Sequence, residues 1–153
     1  MSQSQIRTFR KSLRKFERLN QLLNNQCCRG ITMAQCHVLL EIEELQAATT
    51  NQLAINLKLD KSTLSRTVKS LVKLKLVDRS ENPVDQRYKI LILTTAGETL
   101  CATINSENDE LYEKVFWKLP PESKKPILDH FSELLRAMEL CYETTETDNG
   151  CCE

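Results

Sequence analysis

Residues 49–77, TTNQLAINLKLDKSTLSRTVKSLVKLKLV, constrain the fold most, because they encode two helix starts in quick succession. Thr49 and Gln52 have the spacing of a capping box, in which a hydroxyl and a side-chain amide satisfy free backbone groups at a helix N-terminus. Asp60 then has the character of an N-cap for a second helix. The sequence therefore predicts a short helix, a turn of about three residues and a second helix.

The second predicted helix has an apolar face and a basic, hydroxyl-rich face. Its apolar positions follow the spacing of a buried helix face and are Leu64, Val68, Leu71 and Val72. The opposite face carries Lys61, Ser62, Thr63, Ser65, Arg66, Lys69 and Lys73. In a DNA-binding helix the first residues reach base edges, hydroxyls and lysines contact phosphates, and the N-terminal dipole favours phosphate. The simpler interpretation is a solvated helix face.

From residue 77 the sequence changes to the pattern of β-strands. LVDRS and RYKILILT are predicted as two strands of a hairpin, joined by a turn at ENPVDQ. Two short helices followed by a hairpin predict a winged helix-turn-helix, whose second helix enters a DNA groove. This order favours DNA binding over a merely solvated face.

Amphipathic helices are predicted on both sides of this region. Near the N-terminus, apolar residues recur at spacings of three and four, at Ile6, Phe9, Leu13, Phe16, Leu19 and Leu23. A capping box at Thr32 and Gln35 predicts the start of another helix, and a third box at Thr95 and Glu98 predicts a long one. After LPPES, a last helix carries Ile127, Leu128, Phe131, Leu134, Leu135 and Met138.

The predicted fold is mostly α-helical with a small β-hairpin wing: a winged helix-turn-helix plus a helical dimerisation region. Residues 1–29 are expected to form an N-terminal dimerisation helix and residues 30–97 the DNA-binding domain. Residues 98–143 are expected to form C-terminal dimerisation helices, and residues 144–153 a flexible tail that contains cysteines. The terminal helices are assigned to a dimer because their apolar faces have no partner within the winged domain, and exposing them would invite aggregation.

The net charge of zero conceals an uneven distribution. Residues 1–57 contain seven Lys and Arg against four Asp and Glu, and residues 58–97 contain nine against four. Residues 98–153 reverse the balance, with five against thirteen. A basic middle beside an acidic C-terminal third predicts a surface for a polyanion and a terminal region that avoids it.

Several classes of protein are disfavoured by the sequence. The N-terminus, MSQSQIRTFRKSLRKF, has no apolar run for a secretory signal, and no stretch approaches the roughly 18 apolar residues of a membrane helix. We therefore expect a cytoplasmic protein. No Gly-rich phosphate loop, HExxH or nucleophile elbow is present, so no enzyme activity is expected. The basic first helix could lie on a membrane surface, although a dimer helix with a basic outer face is favoured.

The residues assembled above resemble the MarR family of bacterial winged-helix regulators. TTNQLAINLKLDKSTLSRTVKSLVKLKLV is similar to the family's helix-turn-helix, and ITMAQCHVLLEI resembles the helix before it. DQRYKILILT matches the wing signature, an Asp-x-Arg followed by a strand that ends in Leu-Thr, here Asp85, Arg87, Leu93 and Thr94. The resemblance covers roughly residues 30–100.

This resemblance implies a homodimeric transcriptional regulator, expected to be a repressor. In the family the first and last helices interlock two protomers, and each recognition helix enters a major groove of a pseudo-palindromic site. Each wing places an Arg, here Arg87, near the minor groove. A ligand or an oxidant acting between the dimer and DNA-binding regions commonly regulates such proteins. The alternative is a winged helix that serves only protein–protein interaction, since the fold alone does not determine function.

Three positions depart from the family pattern, which usually has glycine in the turn between the two helices, after the recognition helix and in the wing. This chain has Lys58, Lys75 and Gln86 there. A left-handed conformation at a non-glycine residue costs on the order of 1 kcal/mol. Either the chain tolerates this cost, or its turns have another shape.

Seven cysteines are many for this chain, and an odd number without a signal peptide disfavours a disulfide scaffold. Cys36, Cys101 and Cys141 are predicted to be core thiols. Cys27 and Cys28 lie in a polar loop, and Cys151 and Cys152 in a polar tail. These two pairs are candidates for binding a thiophilic metal or metalloid ion such as zinc, cuprous copper or trivalent arsenic, or for sensing an oxidant. A small-molecule effector, or none, is the alternative.

Overall fold

The computed structural model describes residues 1–24, 30–81 and 89–149. Its elements, in chain order, are α1 (Gln3–Asn24), α2 (Met33–Leu45), β1 (Ala48–Thr49), α3 (Thr50–Asn56), α4 (Lys61–Lys73), β2 (Val77–Glu81), β3 (Lys89–Leu93), α5 (Thr95–Trp117) and α6 (Pro121–Asn149). The chain divides into two compact units, Met1–Glu110 and Leu111–Glu153. The predicted fold class, mostly α-helical with a winged helix-turn-helix, is confirmed. None of the helices in the described ranges is long and apolar enough to cross a membrane.

One hydrophobic core joins α2, α3, α4, the sheet and the beginning of α5. Its buried members are Val38, Leu39, Ile42, Ala48, Leu53, Ala54, Leu64, Val68, Leu71, Val77, Leu91 and Cys101. The prediction that Cys36 and Cys101 are buried thiols is confirmed. Burial, with the Glu43 carboxylate as a second cause, raises the pKa of the Cys101 thiol to about 11, so this thiol stays protonated at neutral pH.

The sheet has three antiparallel strands in the order β1-β3-β2. The hairpin pairs Val77 with Leu93 and Glu81 with Lys89, and the Lys89 Nζ lies 3.2 Å from the Glu81 carboxylate. Glu81 therefore ends a strand, whereas the sequence placed it in the turn. The sequence also missed β1, because two residues are too short to show an alternating pattern.

The helices of the winged region begin at the predicted capping residues, with one exception. Both capping boxes are complete, at Thr32 with Gln35 and at Thr49 with Gln52, and Asp60 caps α4. The predicted box at Thr95 is wrong. The hydroxyl of Thr94 caps α5 instead, because it accepts a hydrogen bond from the Gly97 N–H at 3.0 Å.

The ends of α3 and α4 are built alike. After α3, the Lys58 N–H donates to the Ile55 carbonyl at 3.3 Å and the Leu59 N–H to the Ala54 carbonyl at 3.1 Å. After α4, Lys75 and Leu76 repeat this pattern toward the carbonyls of Val72 and Leu71, at 3.0 and 3.1 Å. Each helix thus ends in a Schellman motif, with a lysine where glycine is usual. Lys58 has φ 51° and Lys75 has φ 59°, so the chain tolerates the left-handed conformation.

The end of the helix-turn-helix is fixed closely to the start of α5. Thr94 donates from its N–H to the Leu76 carbonyl at 3.1 Å and from its hydroxyl to the Lys75 carbonyl at 2.7 Å. One turn further on, Gly97 lies so near that a methyl group placed on it would overlap the Leu76 carbonyl oxygen. Only glycine fits at residue 97 without a shift of the backbone.

The terminal helices bury little within one chain. No residue of α1 is buried, and α6 carries a row of exposed apolar side chains. Helix α6 continues to Asn149, so residues 144–149 of the predicted flexible tail are helical. Cys141 is exposed on this helix, and its predicted place in the core is therefore wrong for the single chain.

Candidate nucleic-acid interface

Helix α4 presents the predicted DNA-facing residues on the side opposite the core. Leu64 and Leu71 are fully buried, Val68 is nearly so, and Val72 packs against them. Burial of this face fixes the rotation of the helix, so its polar face points outward. Five of the predicted contact residues are exposed, namely Lys61, Ser62, Arg66, Lys69 and Lys73, while Thr63 and Ser65 are half-buried.

The N-terminus of α4 is occupied by the protein's own carboxylate. The Ser62 hydroxyl donates to Asp60 Oδ1 at 2.6 Å, and the Thr63 backbone N–H donates to the same oxygen at 2.8 Å. Hydrogen bonds from Ser62, and then from Thr63, hold the pKa of Asp60 well below its usual range. Asp60 is therefore charged at neutral pH and takes the position that the helix dipole would offer to a phosphate. Binding of a phosphate by the backbone N–H groups of this N-terminus, predicted from the dipole, is disfavoured.

The same hydrogen bonds limit what Ser62 can do. Its proton is donated to Asp60, so toward another molecule the hydroxyl can act only as an acceptor unless that bond breaks. In a DNA groove the matching groups are the amino donors of cytosine and adenine. Ser62 is thus better suited to a base edge than to a phosphate.

Arg66 is folded back along the helix. Its Nε donates to the Ser62 carbonyl and its Nη2 to Thr63 Oγ1, both at 3.3 Å. These are long hydrogen bonds at an exposed site, so they cost little to exchange for others. Within the described residues, Lys61, Arg66, Lys69 and Lys73 make no ion pair with a carboxylate. Their charge is available to a polyanion.

Helix α4 is also held by a contact that the sequence did not reveal. Gln35 accepts the Thr32 N–H at 2.7 Å as part of the capping box of α2, and its Nε2 donates to Ser70 Oγ at 2.8 Å. One side chain therefore begins α2 and holds α4 against it. Its capping role was predictable from spacing, whereas a partner 35 residues away leaves no local pattern.

Several predicted site residues lie outside the described residues. These are Arg87 of the wing and the cysteine pairs, Cys27 with Cys28 and Cys151 with Cys152. In the part of the chain that the structure describes, no three His, Cys, Asp or Glu side chains come together as a metal site.

Fold and interface together define a winged helix-turn-helix protein with a basic recognition helix. The sequence model of the MarR family matches residues 31–89. A curated relative, the uncharacterized HTH-type transcriptional regulator YxaD of Bacillus subtilis (strain 168), is 30% identical over 105 residues, which cover 69% of this chain and 71% of YxaD. The chain belongs to the MarR family of transcriptional regulators.

Solved structures agree with this assignment. The transcriptional regulator Tm0710 from Thermotoga maritima has a TM-score of 0.61 at 27% identity, over 90% of this chain and 98% of its own. A mutant MarR from E. coli, complexed with operator DNA, has a TM-score of 0.59 at 25% identity, over 81% of this chain and 95% of its own. The similarity to Tm0710 thus extends beyond residues 31–89 into the terminal helices.

Proposed function

We propose that this chain is a transcriptional repressor that binds a pseudo-palindromic operator as a homodimer and catalyses no reaction. The observation that carries the proposal is the exposed, unpaired set of cations on α4, on a helix whose rotation and position are fixed by its buried face. In this proposal α4 enters the major groove, Arg66 reads a base edge, the lysines contact phosphates and Arg87 lies near the minor groove. The similar MarR complexed with operator DNA supports this use of the fold.

The dimer is proposed from the exposed apolar side chains of the terminal helices. On α1 they are Ile6, Phe9, Phe16, Leu19, Leu22 and Leu23, and on α6 they are Ile127, Leu128, Phe131, Leu135, Met138, Leu140 and Tyr142. Surfaces this apolar normally mark an interface. We therefore assign residues 1–29 and 98–143 to dimerisation and residues 30–97 to DNA binding.

The signal that releases the DNA is proposed to be either a thiophilic metal, metalloid or oxidant acting on the two cysteine pairs, or a small molecule. For the small-molecule alternative, we propose as the site an open pocket of about 250 Å³ that is lined by Ile42, Glu43, Gln46, Ile92, Leu93 and Glu98. A titration of the protein–DNA complex with arsenite, zinc and peroxide tests the first alternative. Release by wild type but not by a variant with Cys27, Cys28, Cys151 and Cys152 changed to Ser would support it.

The central experiment measures duplex binding against salt concentration. If α4 neutralises phosphates, log affinity falls linearly with log salt at about 0.9 per contact. Arg66→Ala should weaken binding by about 1–3 kcal/mol and relax sequence preference, whereas Arg87→Ala should weaken it more evenly across sequences. Arg136→Ala removes the same charge from α6, and it serves as the control if size-exclusion chromatography shows the wild-type oligomeric state. Unchanged affinity in both variants, or no salt dependence at all, would favour a winged helix that binds only protein.

A further inference from the structure

Two exposed lysines, Lys58 and Lys75, occupy matched positions at the ends of α3 and α4. Both follow the C-cap residue of a Schellman motif, and both have left-handed backbones, with φ of 51° and 59°. Glycine adopts this conformation without steric cost, and asparagine does so more readily than lysine. A lysine at such a position requires an explanation, because strained backbone is found most often where function requires it.

A structural explanation applies to both lysines equally. A cation near a helix C-terminus interacts favourably with the last carbonyl groups and with the negative end of the helix dipole. Lys58 follows α3 and Lys75 follows α4 in the same geometry, so this interaction cannot distinguish them. The helix-end interaction therefore assigns no further role to either lysine, whereas their places in the fold differ.

The two lysines lie at opposite ends of the recognition helix. Lys58 is two residues before Asp60, the N-cap of α4, and three residues before the exposed Lys61. Lys75 follows the last turn of the helix, which at 1.5 Å per residue places it about 20 Å away along the axis. In a helix-turn-helix the N-terminal end of the recognition helix contacts base edges, so Lys58 lies at the end that approaches DNA.

A cation at residue 58 can offset the negative charge of Asp60. Asp60 keeps its negative charge at neutral pH and lies at the leading end of α4, where it repels the phosphates on both sides of a groove. A positive charge two residues away offsets this repulsion and can itself pair with a phosphate. The end of α4 near Lys75 has no such carboxylate cap to offset, since Leu74 is its C-cap residue.

We propose that Lys58 is a phosphate-contacting residue, positioned by its left-handed backbone in the turn before α4, whereas Lys75 has only a structural role. The inference rests on the proposed DNA-binding function. It adds to the binding surface a residue that lies outside the recognition helix.

The test compares Lys58→Asn with Lys75→Asn, because asparagine tolerates the left-handed conformation and removes the charge. The probe is a mixed-sequence duplex of about 30 base pairs, long enough for two half-sites one helical turn apart. Lys58→Asn should lower the affinity about threefold to tenfold and reduce the slope of log affinity against log salt by about 0.9 per contact, hence by about 1.8 for a dimer that loses one contact per protomer. Lys75→Asn should leave both quantities unchanged.

Thermal unfolding without DNA provides the second measurement. Both variants should remain folded, and relief of the left-handed backbone strain should raise Tm by about 1–3 °C in each. An unchanged salt slope in Lys58→Asn, or equal reductions in both variants, would overturn the inference. Arg66→Ala, measured beside them, keeps this result separate from failure of the proposed function, which would appear as wild-type protein that does not bind the duplex in a salt-dependent way.

Discussion

The winged region and the terminal helices differ in how completely a single chain buries their apolar side chains. In the winged region, α2, α3 and α4 surround a buried core, and identifiable side chains cap their N-terminal ends. In α1, by contrast, no residue is buried, although its apolar residues form a regular row. The difference shows that a regular apolar pattern predicts which helix face will be buried. It does not predict whether the same chain or another molecule buries that face.

Removal of α1 should have the largest effect on this comparison. If α1 completes its burial against a second chain, deletion of residues 1–20 leaves the partner's apolar surface exposed, and we expect an insoluble or poorly folded product. Yield of soluble protein and size-exclusion chromatography provide the measurement. A folded monomer that still binds duplex DNA would show that α1 is dispensable.

Substitution of one leucine in each region sharpens the contrast. Leu71 is fully buried, so Leu71→Ala should lower the free energy of unfolding by about 2–5 kcal/mol at any protein concentration. Leu135 on α6 is 47% exposed in one chain, so Leu135→Ala should act mainly on association, and its difference from wild type in urea unfolding should shrink on dilution as both proteins dissociate. Urea unfolding at several protein concentrations separates the two. The comparison fails if both variants depend on concentration alike.

Gly97 tests how tightly the winged region is packed. In an open helix, replacement of glycine by alanine stabilises by up to about 1 kcal/mol. At residue 97 the added methyl group overlaps the Leu76 carbonyl, so Gly97→Ala should instead destabilise the fold by about 1–3 kcal/mol. Ala96→Gly, at the exposed neighbouring position, is the control for helix propensity. A stabilised Gly97→Ala variant would mean that the two backbones can separate.

Asp60 gives the smallest effect, visible only in acid. Its pKa is lowered in the folded state, so its contribution to stability is fully present above the unfolded pKa, about 3.9, and is lost as the pH falls below that value. Wild type should therefore lose more stability between about pH 5 and pH 2 than Asp60→Asn, which keeps a capping oxygen but does not titrate. Equal losses in urea midpoints would contradict the role of the charged cap.

Local chemistry made most of the winged region predictable from the sequence. The boxes at Thr32 and Thr49, the cap at Asp60 and the buried face of α4 all depend on residues within one or two turns of each other. The errors arise where a backbone group far away in the sequence determines the local structure. Thr94 rather than Thr95 caps α5, because the hydroxyl of Thr94 is also held by the Lys75 carbonyl.

The candidate site was predictable to a similar extent. Which residues of α4 face outward follows from helical periodicity, and their exposure in the structure agrees with it. The internal hydrogen bonds of Ser62 and Arg66 do not follow from periodicity, since they depend on rotamers. The hydrogen bond from Ser62 to Asp60 changes the expected partner of Ser62 from a phosphate to a base edge.

The junction of Thr94 and Gly97 with Lys75 and Leu76 has a mechanical consequence. Two hydrogen bonds and a backbone contact that admits no side chain leave little slack between the end of α4 and the start of α5. The end of α4 and the start of α5 should therefore move together. Since α4 is about 20 Å long, a rotation of α5 by about 5° about this junction would move the leading end of α4 by about 2 Å. That distance is large compared with the tolerance of a hydrogen bond, so a small rotation of α5 is enough to take α4 out of register with a groove.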